Sequence, residues 1–344
     1  MTNKKYIPYQ VVWETTLRCN LKCIHCGSSA GKARSTELTT EQGKKFIKDL
    51  TKIDTKEVCF MGGEPLLRND WYELGREVKD QGMEFLIISN GYLVNDKIIE
   101  KLRKLEPYAV AFSLDGITSE THDFIRGVKG SFERVKNAIS LTTKAGLPTT
   151  VLTTISKINY KELPVMKDFL LNKQIAWQIQ VGTPSGRFEK KYALSKEEYY
   201  TLAAYIASLQ KKYSKKELPM IGAHCFGYHS RFIPCLGLYP EWNGCQAGVT
   251  ILSLKSNGDV IGCLAAKDSM VEGNILKRSI VDIWNDPKAF SYNRTFSIKD
   301  LGENCKDCKY GQSCRGGCLG MSTAFTNKPH NDPYCFYKIE EDLS

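Results

Sequence analysis

Residues 19–26 read CNLKCIHC and place Cys19, Cys23 and Cys26 within eight positions. Thiolates at such spacing bind soft metals. Three of them cannot complete a four-coordinate zinc site, which takes a fourth Cys or His, usually from a second close pair. His25 is wedged between Cys23 and Cys26 and has little room to turn its ring onto the same ion. A [4Fe–4S] cube is also held by thiolates, and three would leave one iron open to a substrate or cofactor. The pattern alone leaves cube and zinc both open.

A second group of cysteines lies far along the chain. Cys245-x12-Gly258-x4-Cys263 is followed by Cys305-x2-Cys308-x5-Cys314-x3-Cys318 and then Cys335. A zinc ribbon needs two C-x2-C pairs, and this segment has one. The chain holds 13 cysteines in 344 residues. An odd, clustered count argues for metal rather than disulfides, and a reducing cytosol would keep the thiols free. Cys59 stands apart, in an apolar run, and reads as a small core residue.

The remaining composition is that of a soluble protein with a real core: 42% hydrophobic and 25% charged. No apolar run is long enough for a membrane span. The start, MTNKKYIPYQVVW, lacks the sections of a signal peptide, so a cytoplasmic location is expected. The net charge is +10, with the lysines and arginines scattered and densest at KKYSKK, 211–216. Such a surface is ordinarily just solvated. It would also balance anionic clusters or attract an acidic peptide. No nucleic-acid-binding motif is present, so neither nucleic acid nor membrane is an expected partner.

The elements that must carry these residues fall into two regimes. Apolar or β-branched runs occur at 10–17, 57–61, 84–89, 108–114, 148–155 and 176–181, separated by amphipathic stretches. Six strand-then-helix units predict a parallel sheet with helices outside it. GGEP (62–65), SNG (89–91) and SLDG (113–116) follow strands, where a parallel barrel places its chemistry. Residues 182–235 lack clear strand alternation apart from a helix around 195–213. From about 236, cysteine and glycine rise and short turn-rich pieces take over. The expected division is a barrel at 1–210, a bridging stretch at 211–235, and a small domain at 236–344 held by metal rather than by a large core.

Taken together, the C-x3-C-x2-C after the first strand, GGEP after the second and SLDG after the fourth resemble the radical S-adenosylmethionine (SAM) enzymes. The later cysteines resemble the SPASM domain of peptide-modifying members. The resemblance runs from residue 10 to 340. It implies an α/β fold, a partial (β/α)6 TIM-type barrel followed by a Cys-rich SPASM domain. It implies three [4Fe–4S] clusters and SAM as cofactors. Cys19, Cys23 and Cys26 would hold the first cluster, with SAM completing it as the fourth ligand. Cys305, Cys308, Cys314 and Cys335 would hold a distal auxiliary cluster. Cys245, Cys263 and Cys318 would hold a proximal one, with Cys235 as candidate fourth ligand and Cys225 as the alternative.

The resemblance also implies SAM contacts from Gly62, Gly63, Glu64, Asn90, Ser113 and Arg126, with His25 packing on the adenine through its backbone. The bare alternatives are a helix-start salt bridge for Arg126 and a turn cap for Asp115. Asp115, Cys225 and Cys235 are the candidate catalytic groups, and Pro184, Gly186 and Arg187, at the end of the sixth strand, either shape a substrate channel or form a plain turn. The implied activity is hydrogen abstraction by a 5′-deoxyadenosyl radical from a ribosomally synthesised peptide, leading to an oxidative C–C or thioether cross-link. Sulfatase-maturase-like oxidation of Cys or Ser is the alternative, although Cys263 is followed by Leu264 and Ala265 where that family has an aspartate base. Epimerisation or splicing is another alternative. An external flavodoxin or ferredoxin is the expected electron donor. Only eighteen residues precede Cys19, so a leader-binding protein, if used, is expected to be separate.

Overall fold

The computed structural model describes residues 6–238 and 241–342. Its centre is one ten-stranded sheet. Six strands appear where the apolar runs lie: β1 (Gln10–Thr16), β2 (Glu57–Gly62), β3 (Glu84–Ser89), β4 (Ala109–Ser113), β5 (Thr149–Ile155) and β6 (Ala176–Val181). They pair in parallel and in sequence order. The strands and their crossover helices form the parallel sheet that the alternation predicts, curved into the partial barrel that the resemblance implies.

Helices α1 (Thr40–Leu50), α2 (Trp71–Asp80), α3 (Asp96–Leu105), α4 (Ser119–Arg126), α5 (Ser131–Lys144), α6 (Leu163–Leu170) and α7 (Lys196–Lys212) lie along the connections. Local signals start several of them. Thr39 with Gln42 and Ser195 with Glu198 form capping boxes on α1 and α7, each satisfying two otherwise orphaned backbone donors. The inner faces meet the sheet through large side chains. Trp13 sits edge-on to Phe46 and Phe60 at 5.6 and 5.3 Å between ring centres, and all three rings are buried. Full burial of each is worth about 1.5–3 kcal/mol or more.

The sheet extends beyond residue 210 on both sides. The expected bridging stretch contributes β7 (Met220–Gly222), parallel to β6. β8 (Ile251–Leu254) lies parallel to β1 on the opposite flank, followed by antiparallel β9 (Asp259–Ile261) and β10 (Gly273–Asn274). The strand order is therefore β10-β9-β8-β1-β2-β3-β4-β5-β6-β7. Three-residue strands carry too few side chains for a periodic signal, which is why 211–235 reads as a linker. The C-terminal part ends in the short helices α8 (Ile280–Trp284), α9 (Ser291–Arg294), α10 (Gly311–Cys314), α11 (Leu319–Thr326) and α12 (Phe336–Asp342). Around Cys245 and Cys263 its own core is small: Ala247, Ile261, Ala266 and Leu319. Among the described residues no helix is long and apolar enough to cross a membrane.

Candidate active site

The loop after β1 carries Cys19, Cys23 and Cys26. All three face a pocket with about 570 Å³ of empty space, together with Gly62, Gly63, Asn90, Ser113, Arg126 and Arg187. The loop is held there from several sides. The amides of Gly63 and Glu64 donate to the carbonyls of Thr16 and Arg18, both at 2.8 Å. These contacts explain GGEP. A Cβ on Gly63 would collide with the Arg18 carbonyl oxygen, and one on Gly62, at φ +140°, with that of Thr16. The end of α4 braces the same loop, because Lys22 and Ile24 donate to the carbonyls of Arg126 and Ile125 at 3.1 and 2.9 Å. Beyond β6, Arg187 donates to the carbonyls of Cys23 (2.9 Å) and Ala30 (2.7 Å). Gly186 has φ +58°, and a Cβ there would strike the Cys26 and Gly27 carbonyls. Residues 186–187, expected to shape a substrate channel, clamp the cysteine loop.

The sulfurs are surrounded by donors. Leu21 N–H reaches Cys19 Sγ and Ala30 N–H reaches Cys26 Sγ, both at 3.4 Å. Asn90 Nδ2 lies 3.9 Å from Cys19 Sγ, and an Arg126 guanidinium nitrogen lies 3.7 Å from Cys23 Sγ. Burial pushes the Cys19 thiol up to about 11 and raises Cys23 as well, so these bare thiols hold their protons at neutral pH. Thiolates form when a metal displaces the proton, and the surrounding donors then stabilise them. Among the described residues no three His, Cys, Asp or Glu side chains converge on a single point as they would on one ion. A cube takes one thiolate per iron corner and needs no such convergence. Three cysteines on one pocket wall, with N–H and guanidinium donors near their sulfurs, fit a cluster held by three thiolates.

Glu64 lies behind this wall, fully buried. Its carboxylate accepts from Ser89 Oγ (2.9 Å), Asn90 N (2.8 Å) and Leu66 N (3.1 Å). Burial pushes it up to about 7 against the pull of those bonds. It ties the GGEP and SNG loops together and places Asn90 at the pocket, where Nδ2 also donates to Asn20 Oδ1 at 2.8 Å.

Asp115, expected as a catalytic candidate or turn cap, is fully buried. Oδ1 accepts from Thr154 N at 2.8 Å, and Oδ2 meets His25 Nε2 at 2.6 Å and the Arg126 guanidinium. Burial alone would raise its pKa, but the charges of Arg126 and His25 overcome it and hold the carboxyl well below the usual range. A carboxylate so occupied does not meet a substrate as a base. Arg126 stands in the last turn of α4, so the helix-start alternative fails, while its ion pair with Asp115 is real. One turn earlier His122 Nδ1 accepts from the Asp115 amide at 3.2 Å. Burial, aided by the Arg126 charge, lowers His122 to about 4.

Glu14 on β1 is another buried carboxylate. It takes Arg34 through two bonds (2.9 and 3.1 Å) and Ser256 through N–H (3.2 Å) and Oγ (3.0 Å). The cysteine loop is thereby tied to the turn after β8. A glutamate inside the apolar run QVVWETT was the available signal.

Two further thiol groups form in the C-terminal part. Cys305, Cys308, Cys314 and Cys335 line a small, narrow pocket with Tyr228, Asp332 and Lys338. Cys245, Cys263 and Cys318 form the other. Burial raises Cys318 most, and proximity to Cys245 and Cys263 raises it further. Tyr228 links the groups: its hydroxyl donates to Asp332 and accepts from Cys318 N at 2.9 Å. Burial pushes Asp332 up to about 7. Neither residue was singled out from the sequence. Cys225 packs against the barrel core, its sulfur accepting from Val181 N at 3.2 Å, and burial pushes its thiol up to about 12. Cys235 is exposed, on the loop beyond β7. Neither lines the three-thiol pocket. Cys59 is buried within β2, as expected of a core residue.

A barrel with a three-cysteine pocket, followed by two further thiol groups, defines an iron–sulfur enzyme class. The chain belongs to the radical SAM superfamily, which residues 13–170 match, while residues 245–309 match the SPASM iron–sulfur cluster-binding domain. It is 31% identical to an AdoMet-dependent heme synthase of Methanosarcina barkeri, across 98% of both chains. It is 29% identical to the mycofactocin maturase MftC of Mycobacterium tuberculosis, covering 95% of this chain and 83% of that protein. Among solved structures, Streptococcus suis SuiB bound to the precursor peptide SuiA superposes with a TM-score of 0.74 at 19% identity. That match covers 96% of this chain and 75% of SuiB and reflects a shared fold. The protein is thus an enzyme of reductive SAM cleavage that uses [4Fe–4S] chemistry.

Proposed function

We propose that this enzyme matures a ribosomally synthesised peptide by forming an oxidative cross-link, C–C or thioether. When bound, SAM and a reduced [4Fe–4S] cluster would supply radical chemistry able to take hydrogen from an unactivated carbon, and auxiliary clusters would supply acceptors for the electron that oxidation releases. Cys19, Cys23 and Cys26 would hold the first cluster. Cys305, Cys308, Cys314 and Cys335 would hold the distal auxiliary cluster. Cys245, Cys263 and Cys318, with Cys235 as fourth ligand, would hold the proximal one. The count of three clusters, the domain division and an external flavodoxin or ferredoxin belong to the same proposal.

The chain's own groups bind and orient. Gly62 and Gly63 present backbone against the pocket, Asn90 and Ser113 add polar side chains to its lining, and Arg126 offers a guanidinium suited to a carboxylate. Arg187 and Glu64 act behind them, holding the loops in place. The observation that carries this reading is one three-thiol pocket together with two more thiol groups, in a chain 29% identical to a mycofactocin maturase.

A second reading is a tetrapyrrole substrate. It is favoured by 31% identity over 98% of both chains to the heme synthase, and by 30% identity to an Fe-coproporphyrin III synthase of the same organism. One experiment separates the two. The anaerobically reconstituted enzyme is given SAM, dithionite and either short peptides encoded beside its gene or Fe-coproporphyrin III. A peptide that loses a hydrogen pair and stimulates 5′-deoxyadenosine formation supports cross-linking. Conversion of Fe-coproporphyrin III, with every peptide unchanged, overturns it.

A further inference from the structure

We propose that Asp115 is the positioning residue of the SAM pocket, fixing Arg126 and His25 in the places from which they meet the ligand. The carboxylate is immobile. Thr154 N–H holds Oδ1, the Asp115 amide is bonded to His122 Nδ1, and its carbonyl accepts from Asn159 Nδ2 at 2.8 Å. The remaining oxygen, Oδ2, serves both His25, at 2.6 Å, and Arg126. These two side chains arrive from different elements. His25 belongs to the cysteine loop and Arg126 to the end of α4. One buried charge therefore sets their mutual spacing.

Arg126 and His25 line the pocket, and Asp115 does not. Any effect of Asp115 on the ligand must pass through them. Arg126 spends one terminal nitrogen on Asp115 and the other near Cys23 Sγ, 3.7 Å away. Its Nε is buried and has no hydrogen-bond partner among the described residues. A buried guanidinium N–H left open beside a pocket is suited to an anionic ligand group, and the carboxylate of SAM has that chemistry. Without Asp115 the guanidinium would lose its anchor and swing toward the sulfur or solvent.

The test uses reconstituted holoenzyme, reduced with dithionite and given no peptide, so that it reads SAM cleavage alone. Asp115→Asn should keep near-wild-type iron and raise KM for SAM roughly tenfold, with kcat for 5′-deoxyadenosine changed by less than about threefold. In an Arg126→Gln background, Asp115→Asn should raise KM little further, because the group it acts through is gone. Unchanged KM with iron retained, or KM rises that simply multiply in the double variant, would overturn the proposal. So would loss of iron with normal SAM affinity in the molecules that keep it, since that marks a purely structural role. Should Asp115→Asn fail to fold, His25→Gln reads the other arm: a raised KM with iron retained supports the proposal, and an unchanged KM sinks it. Wild-type protein whose iron–sulfur spectrum ignores SAM would instead remove the pocket's assignment as the SAM site.

Discussion

The backbone N–H of Arg187, beyond β6, donates to the carbonyl oxygen of Cys26 at 3.0 Å. The guanidinium of the same residue reaches Cys23 O and Ala30 O, so the end of the sixth strand closes over the cysteine loop of the first. Each charge-assisted bond of this kind contributes about 1.5–3 kcal/mol. Arg187→Ala is expected to speed the loss of barrel iron to a chelator. Arg187→Lys should fall between, since a single ammonium cannot fork to two carbonyls. An unchanged release rate in Arg187→Ala would show that the clamp does not hold the cluster.

Glycine at 63 should be indispensable for a different reason from glycine at 82. A Cβ at Gly63 meets the Arg18 carbonyl, which is backbone and cannot step aside, whereas one at Gly82 meets nothing within 4 Å and only strains φ, at +74°. Gly63→Ala should therefore cost roughly 3 kcal/mol or more and reduce barrel iron, and Gly82→Ala about 1–2 kcal/mol with iron intact. Equal thermal midpoints for the two variants would refute this.

Glu64 predicts a pH signature. Its folded pKa, about 7, lies above an unfolded value of about 4.3. Between these values the folded state keeps the proton and the unfolded state has lost it. Stability from this group is thus complete at the acid end and is lost as pH rises through that window, by up to about 1.4 kcal/mol per pH unit. Glu64→Gln has no such group. The wild-type midpoint should fall relative to the variant's between about pH 4 and about pH 7 and level off above that, read by anaerobic thermal unfolding. A gap independent of pH would be the contrary result.

Tyr228→Phe removes one hydroxyl with two buried partners, Asp332 and the Cys318 amide. Leaving both short of a bond costs about 1–3 kcal/mol each. Because one partner lies beside each auxiliary thiol group, both groups should lose iron more readily, while the barrel cluster, assayed by SAM cleavage without peptide, is retained. Loss confined to the barrel would contradict the placement.

Counting iron tests the three-cluster proposal directly. Reconstituted wild type should hold about twelve irons per chain, and the Cys19/Cys23/Cys26→Ala variant about eight. A wild-type count near four, or tightly bound zinc, would return the C-terminal thiols to another role.

Much of this was legible beforehand, because it is local. The six barrel strands are short apolar runs whose positions match β1–β6 within a residue or two. The three-cysteine loop and GGEP fall at strand ends because parallel strands expose their C-terminal loops together. Less legible was anything that depends on partners distant in sequence. The role of Asp115 was open between catalytic group and turn cap, since His25 lies 90 residues before it. Arg187 read as a channel residue because its partner carbonyl, that of Cys23, lies 164 residues away. Tyr228 and Asp332 carried no spacing signal at all.

The sequence by itself determined the six barrel strands and which thiols are grouped closely enough to bind metal, since side-chain periodicity and cysteine spacing are properties of neighbouring residues. Only the tertiary structure decided that β8 pairs beside β1 and β7 beside β6, and which buried carboxylate answers which cation. Those choices rest on packing and on the cost of burying a charge without its partner, and that cost is settled only when distant segments meet.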